Sequence, residues 1–539
     1  MLIATRETLA QLVPQLMASG LTLDAACALL IEDPISSLPE SIAGVPVLGE
    51  ASDLAMLQPQ VQASVAVVCL PASLRASALA IKEAARNLQL PCRIVQPLHE
   101  QVLSAAQGSA SGGSGNATSN YTGPLNWSEL IGRVPFGLDP RAVSSALEAK
   151  RVLITGAGGS IGSEIARICA SFRPSLLVLM ERSENALFEI DRTIAKKFPS
   201  VPRKAVLHDV VESDQTLRHL LSLKPHVVFH TAAHKHVPLM EDHPSHAVGN
   251  NLFGTKAIAD AALATGTERF VFVSTDKAVE PTSTMGATKR LAELYVQHLA
   301  RTQIVSATRS ATKFSIVRFG NVLGSACSVL PIWESQLAEG GPLTVTDERM
   351  TRYFMTIHEA ATLVIQSSTL VTDNPDLAAP SAPASAYANG SIFVLDMGEP
   401  IRILELAMRF ARLRGFEPLV QQLDSAPAAP QSDHPIMPIT LVGARPGEKL
   451  HEALAYPAEA LATTLAPGIF ALATHQPPVD VPSMVAEFAL LRNHAERTVV
   501  RTAIGKFLPE FHESDAVRTS GSHQNEGLRT ISSQQVLVV

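Results

Sequence analysis

Residues 151–165 read RVLITGAGGSIGSEI, an apolar run that breaks into glycines at 156, 159 and 162 just as a helical pattern begins. Strand, tight turn and helix in that order make a phosphate-binding turn. Gly156 permits the turn, Gly159 lets the backbone approach a pyrophosphate, and Gly162 lets helix and strand pack. The helix start at Ser160 and Ile161 presents its positive end to the negative charge. The next apolar run, SLLVLME, ends at Glu181, where an acid accepts hydrogen bonds from both adenosine-ribose hydroxyls. This favours NAD over NADP, a preference that Arg182 weakens because a guanidinium accommodates a 2′-phosphate. Asp209 is expected to end the third strand and to hold the adenine amino group. Val210, Ala232 and Ala233, at neighbouring strand ends, complete the expected dinucleotide site.

Outward from this turn, apolar runs alternate with helical patterns: RVLITG, SLLVLME, KAVLHDV, HVVFHTAA, RFVFVST and FSIVRFGN, with helices from Ser160, from Asn185, near Asn251 and near Gly286. Helices between apolar strands imply a parallel sheet. The expected fold is α/β: a Rossmann-like doubly wound sheet followed, after about residue 330, by a smaller lid-like substrate domain. Residues 1–103 show a weaker α/β series in which Thr5-Arg6-Glu7-Thr8 occupies the first turn, so this domain reads as a degenerate Rossmann-like unit that holds no dinucleotide. Residues 104–122 have the Ser/Gly/Ala/Asn composition of a flexible linker. Residues 123–510 form the expected catalytic domain, with surface loops at 373–390 and 422–436, and 511–539 read as a disordered tail.

The 539 residues carry a net charge of −7 without basic runs, which argues against nucleic-acid binding. Five scattered cysteines with no CxxC pair argue against a disulfide framework and for a reducing cytoplasm. Arg6 and Glu7 interrupt the N-terminal apolar stretch before a signal core forms, and the longest uncharged stretch, 54–74, contains Pro59 and Pro71. No transmembrane segment is expected. The cluster His230, His234, His236, His243 and His246 lies near no cysteine or matching carboxylate set, so no metal is expected either.

The strand FVFVS runs into Thr275-Asp276-Lys277, and Met285-Gly286-Ala287-Thr288-Lys289 opens the next helix. The GxxGxxG spacing and this placement resemble short-chain dehydrogenase/reductase proteins, where a Tyr four residues before the Lys abstracts a proton. Here that position is Met285, and a thioether transfers no proton. The stretches TGAGGSIGSEIAR, ERSENALFEID, AAHKHVPLMEDHP, NNLFGT, VFVSTDKAVEPTSTMGATKR, RFGNVLGS, RMTRYFMT, FVLDMGEPIRILELA and GARPGEKLHE resemble the CapD-like polysaccharide biosynthesis proteins, the UDP-N-acetylglucosamine 4,6-dehydratase family. The resemblance spans about residues 124–455. The chain departs from that pattern in lacking the family's membrane helices, in His234 standing where the family has Tyr, and in the lost first glycine loop.

The resemblance implies NAD-dependent oxidation at sugar C4, water elimination across C5 and C6, and hydride return to C6. It implies Asp276 as the acid at O6, Lys277 as the C5 base, Thr275 on the C4 oxygen and Lys289 on the nicotinamide ribose. Lys277 must then be partly neutral. Lys235 and His236 are expected near the sugar, and Asn321, Arg352 and Arg445 near the nucleotide diphosphate. Self-association is implied as well. A nucleotide-sugar 4-epimerase needs no acid and base at C5 and C6, and a non-catalytic scaffold needs neither, so both remain as alternatives.

Overall fold

The computed structural model describes residues 1–6, 8–9, 28–30, 40–42, 44–61, 66–70, 75–88, 90, 92–94, 130–133, 135–303, 311–371, 387–422, 435–457, 459–473, 479–493 and 496–512. The expected linker at 104–122 and all but two residues of the expected tail lie outside them. The chain divides into two compact units, Met1–Ser119 with Gly132–Gly137, and Asn120–Ile131 with Leu138–Val539.

In the first unit, short strands at Ala28–Leu30, Leu2–Ala4, Ala66–Cys69 and Cys92–Ile94 lie side by side and parallel, and a hairpin of Ser41–Ile42 with Val45–Glu50 closes one edge. Its core gathers Met1, Ile3, Val68 and Ile81. At the first strand end the Thr8 hydroxyl donates to the Cys69 carbonyl at 3.0 Å and receives the Thr5 amide at 2.9 Å, so side-chain hydroxyls fill the place of a glycine turn.

The second unit is built on nine strands: β1 Arg151–Thr155, β2 Leu176–Glu181, β3 Arg203–Leu207, β4 Val227–His230, β5 Arg269–Val273, β6 Lys313–Arg318, β7 Ser391–Leu395, β8 Ala460–Thr463 and β9 Ile469–Ala473. Their order is β8-β9-β7-β6-β5-β4-β1-β2-β3, parallel from β3 to β7 and antiparallel through β9 and β8. The central strands are covered on both faces, which is why Val152–Ile154, Val227–Phe229 and Phe270–Phe272 are apolar without alternation and fully buried. The order reverses between β1 and β4, and a doubly wound sheet opens its ligand crevice at such a point.

Three differences from the sequence reading have local causes. β3 stops at Leu207, because Asp209 folds back to accept the Val211 amide at 3.2 Å in an Asx turn; Asp209 lies two residues past the strand rather than at its end. The helix after β2 starts at Glu184, since Ser183 caps it by accepting the Ala186 amide. Residues beyond 330 do not form a lid alone: β7, β8 and β9 return to the main sheet, and Tyr387, within an expected surface loop, is buried. The remainder forms its own core, in which Trp333, Phe410 and Ile439 pack between the helices Val329–Ala338 and Ile403–Leu413 and a three-stranded sheet of Leu343–Val345, Ile436–Leu441 and Glu417–Gln422. Among the described residues no helix is long and apolar enough to cross a membrane, and no group of three His, Cys, Asp or Glu is placed to hold a metal.

A buried charge cluster ties the sheet to the helix Thr284–Thr302. The Glu293 carboxylate accepts from Ser274 Oγ at 2.6 Å, from Arg318 Nε at 2.8 Å and Nη2 at 2.7 Å, and from Arg290 Nη1 at 2.9 Å. Burial alone pushes the Glu293 carboxyl up, but Arg318 and Arg290 reverse this and hold it below the ordinary range. Glu293→Ala would remove the carboxylate shared by two buried guanidinium groups, and an expected loss of about 3–5 kcal/mol of stability is read from the denaturant midpoint.

Candidate active site

The turn after β1 is cramped. Gly156 has φ of +65°, and a Cβ on it would lie 2.8 Å from the Ala232 backbone; one on Gly162 would lie 2.1 Å from the Gly156 carbonyl oxygen. This close approach sets the start of the helix Ser160–Ser171 directly above the crevice. Gly158, which the spacing argument passed over, is equally confined, since a Cβ there would meet the Ala186 Cβ at 2.5 Å.

A cavity of about 270 Å³ opens at this turn, and Gly156, Gly159, Glu181, Arg182, Asp209, Val210, Ala232 and Ala233 all line it. Ser160, Ile161 and Gly162 stand behind it in the first helical turn, where Ser160 Oγ accepts the Ala326 amide at 3.0 Å. The Glu181 carboxylate accepts backbone amides from Gly158 at 3.2 Å, Arg182 at 2.9 Å and Ser183 at 3.1 Å, which fixes it at the mouth. Arg182 turns toward Asp209 Oδ2 at 3.7 Å and His234 Nδ1 at 3.4 Å. Burial, with the Arg182 charge, pushes His234 down to about 4, so its ring is neutral at pH 7. A nucleotide-sized cleft, a helix N-terminus and a carboxylate at the second strand end fit a dinucleotide.

Next to this cleft, the end of β5 leads through Thr275 into a single helical turn, Asp276–Ala278. Thr275 Oγ1 donates to Asp276 Oδ1 at 3.0 Å, and Lys277 Nζ donates to the same oxygen at 3.1 Å and to Asn321 Oδ1 at 3.0 Å. Asp276 is fully buried and its Oδ2 has no hydrogen-bond partner. Burial pushes its carboxyl above the ordinary range, Lys277 opposes this, and the charge of Glu452 adds to it. The turn is pressed against the next helix where a Cβ on Gly286 would lie 2.1 Å from the Lys277 carbonyl oxygen.

Met285 does not face polar groups: it is 3 % exposed and packs in an apolar cluster with Met240, Ala247 and Val237. Lys289, one turn on, donates to the Val273 carbonyl at 2.6 Å, and its ammonium lies 4.1 Å from the centre of the Phe272 ring. Burial pushes it down to about 7, with Glu293 opposing. His230, which the motifs left unassigned beyond its strand, is a buried strut between Thr155 Oγ1 at 2.7 Å and Thr255 Oγ1 at 3.0 Å.

Lys235 Nζ donates to the Ala326 carbonyl at 2.7 Å, and burial, followed by the nearby charge of Lys277, pushes it down. His236 stands at the N-cap position of the helix Val237–Asp242 without a side-chain capping bond, with burial pushing it down too. Arg352 is 7 % exposed and donates to the Thr351 and Leu450 carbonyls at 2.8 and 3.2 Å. Arg445 donates its backbone amide to Glu448 Oε2 at 3.1 Å, and its Nη2 is buried with no partner, ready for an anionic oxygen. Glu448, pushed up by burial, is held back by Arg445, Arg352 and Lys277. The five expected substrate residues thus fall into three sets: Asn321 on Lys277, the two arginines around Glu448, and Lys235 with His236 just before the helix Val237–Asp242. Glu448 and Glu452, which the sequence reading did not name, belong to the same pocket.

Lys289 predicts a pH dependence of stability. The unfolded chain holds its proton up to about pH 10.4 and the folded chain only to about 7, so between these values the unfolded state binds more protons. Stability relative to Lys289→Met should therefore rise with pH across this window, by up to about 1.4 kcal/mol per pH unit. Urea unfolding of both proteins at pH 7, 8.5 and 9.5 measures the slope difference.

A family model described as polysaccharide biosynthesis protein matches residues 152–474. The chain is 39% identical over 431 residues to the probable polysaccharide biosynthesis protein EpsC of Bacillus subtilis, covering 79% of this chain and 63% of that one. It is 41% identical over 342 residues to the capsular polysaccharide biosynthesis protein CapD of Staphylococcus aureus, covering 63% and 51%. The chain therefore spans less than two thirds of either relative's length. A UDP-N-acetylglucosamine 4,6-dehydratase (inverting) of Campylobacter jejuni is 31% identical over 221 residues, 40% of this chain and 63% of the other, and UDP-glucose 4-epimerases are among further relatives. Because the family model spans more than half of the chain and takes in both the glycine turn and the Thr275–Lys277 turn, the chain belongs to the family of polysaccharide biosynthesis proteins.

Proposed function

We propose that the chain is a nucleotide-sugar 4,6-dehydratase that converts UDP-N-acetylglucosamine to the 4-keto-6-deoxy sugar with bound NAD. The observation that carries this reading is the contact of Thr275, Asp276 and Lys277 around one buried carboxyl oxygen. Glu181 and Asp209 at the ribose end of the cleft support NAD over NADP, with Arg182 already drawn to Asp209.

The cleft at Gly156, Gly159, Glu181 and Asp209 would hold NAD, whose chemistry would be to accept the C4 hydride and return it at C6. The chain must move the protons. With Met285 at the usual tyrosine position and packed in apolar contacts, no phenol stands there to receive the C4 proton. Thr275 Oγ1 supplies the route: it takes the C4 proton and passes its own to Asp276 Oδ1, 3.0 Å away. Asp276, now a carboxylic acid, donates to O6 as the C6–O6 bond breaks and water leaves. Lys277 removes the C5 proton through Nζ and later returns it to C5. Arg352 and Arg445 would hold the diphosphate, Lys235 and His236 would border the sugar, and Lys289 would hold the nicotinamide ribose. Self-association belongs to the same proposal.

Purified chain incubated with UDP-N-acetylglucosamine and NAD should yield a product lighter by one water, identified by mass and proton NMR. An unchanged mass with inverted C4 would make it an epimerase, and no turnover would leave a scaffold. Lys277→Met should abolish water loss while sparing cofactor binding; full-rate dehydration in that variant removes Lys277 from the role of base.

The route through Thr275 requires Asp276 to start ionised. Since burial raises its carboxyl, kcat/KM should fall as pH drops through a value above the usual ~4 of an aspartate, a limb that Asp276→Asn eliminates together with activity.

A further inference from the structure

Lys277 stands between two buried carboxylates. Asp276 Oδ1 lies 3.1 Å from its Nζ on one side and Glu452 Oε1 lies 3.8 Å away on the other. Glu452 closes the stretch GARPGEKLHE, and its side chain is only 3 % exposed. Its second oxygen faces Lys449 Nζ at 3.5 Å, and Lys449 is itself anchored to the Val279 carbonyl at 2.6 Å.

Lys277 is shared by both carboxylates, so a proton that enters the pair during turnover settles on the one with fewer other cations. The surroundings decide which. Three cations face Glu452: Lys277, Lys449 and Arg352. Asp276 has, of these cations, Lys277 alone, and has Tyr353 close by; its Oδ2, like Glu452 Oε2, has no hydrogen-bond partner among the described residues and lies against Gly320, where an added Cβ would sit 3.0 Å from it. The charge of Lys277 also acts on Lys235 and Glu448.

We propose that Glu452 is a positioning residue of this site: it stays ionised, keeps hold of Lys277 whenever Asp276 takes up a proton, and so makes Asp276 the group that ferries the proton from C4 to O6. This rests on the dehydratase reading above. Burial favours the acid form of both groups, but the three cations more than offset it at Glu452, whereas at Asp276 the charge of Glu452 adds to it. The proton inventory closes. The C4 hydroxyl proton arrives at Asp276 and leaves with O6 as water, and Lys277 returns to C5 the proton it took.

The test uses the whole chain with Glu452→Gln, which keeps shape and removes charge, and Glu452→Asp, which keeps charge. Infrared difference spectra against Asp276→Asn isolate the carboxylic-acid band of Asp276 and follow it with pH without any turnover. In E452Q that titration, and the acidic limb of kcat/KM, should move down by about one pH unit. The rate should fall about tenfold or more while the thermal midpoint holds. E452D should restore both titration and rate toward wild type. An Asp276 titration unmoved in E452Q overturns the proposal even if the rate falls, and so does an E452D that behaves like E452Q. Should E452Q not fold, the E452D titration decides: it stays near wild type if charge is what matters and departs from it if shape is. A wild-type chain that releases no water overturns the dehydratase reading instead, and the infrared titration still decides the part played by Glu452.

Discussion

The Glu293 carboxylate is the constraint on which the site depends. Without exposure to solvent it needs every one of its partners, and those partners belong to the strand carrying Ser274, the neighbouring strand carrying Arg318 and the helix carrying Arg290. Ser274 immediately precedes Thr275, so the position of Thr275, Asp276 and Lys277 just past β5 is set by a charge that has nowhere else to go. The carbonyl of Lys277 is pinned from the opposite side by its contact with the backbone of Gly286. A short turn clamped at both ends offers its side chains to a ligand with little freedom left to lose.

Within that frame the chemistry is electrostatic. Replacing the usual phenol by Met285 removes a proton carrier and adds an apolar contact, and the hydroxyl and carboxyl of Thr275 and Asp276 are the polar groups left at the strand end. Burial makes each ionisation there depend on its neighbours: Asp276 is pushed up, Lys289 and Lys235 are pushed down, and Glu452 is held down by three cations. Arg352 and Arg445, gathered around Glu448, carry the positive charge on the side where a diphosphate is expected.

Features that rest on local rules were readable directly. A strand, three spaced glycines and a helix start leave one backbone path, and the acid at Glu181 falls at the next strand end by length alone. The reading went astray where a local hydrogen bond competed, as when Asp209 turned back on Val211 and ended β3 early. It also missed pairings with no local trace. Nothing in Ser391–Leu395, Ala460–Thr463 or Ile469–Ala473 marks them as strands of the main sheet rather than of a separate lid, because register and partner are chosen by the surface they cover.

The sequence by itself determined that this is a dinucleotide-type α/β chain with Thr275, Asp276, Lys277 and Lys289 at one strand end and helix start, since those relations are fixed by short stretches of backbone. Only the tertiary structure decided which charges share a pocket. Glu452 meets Lys277, Arg318 meets Glu293 and Arg352 acts on Glu448 through distances that depend on how separate elements pack, and in a buried pocket those distances govern where the protons reside.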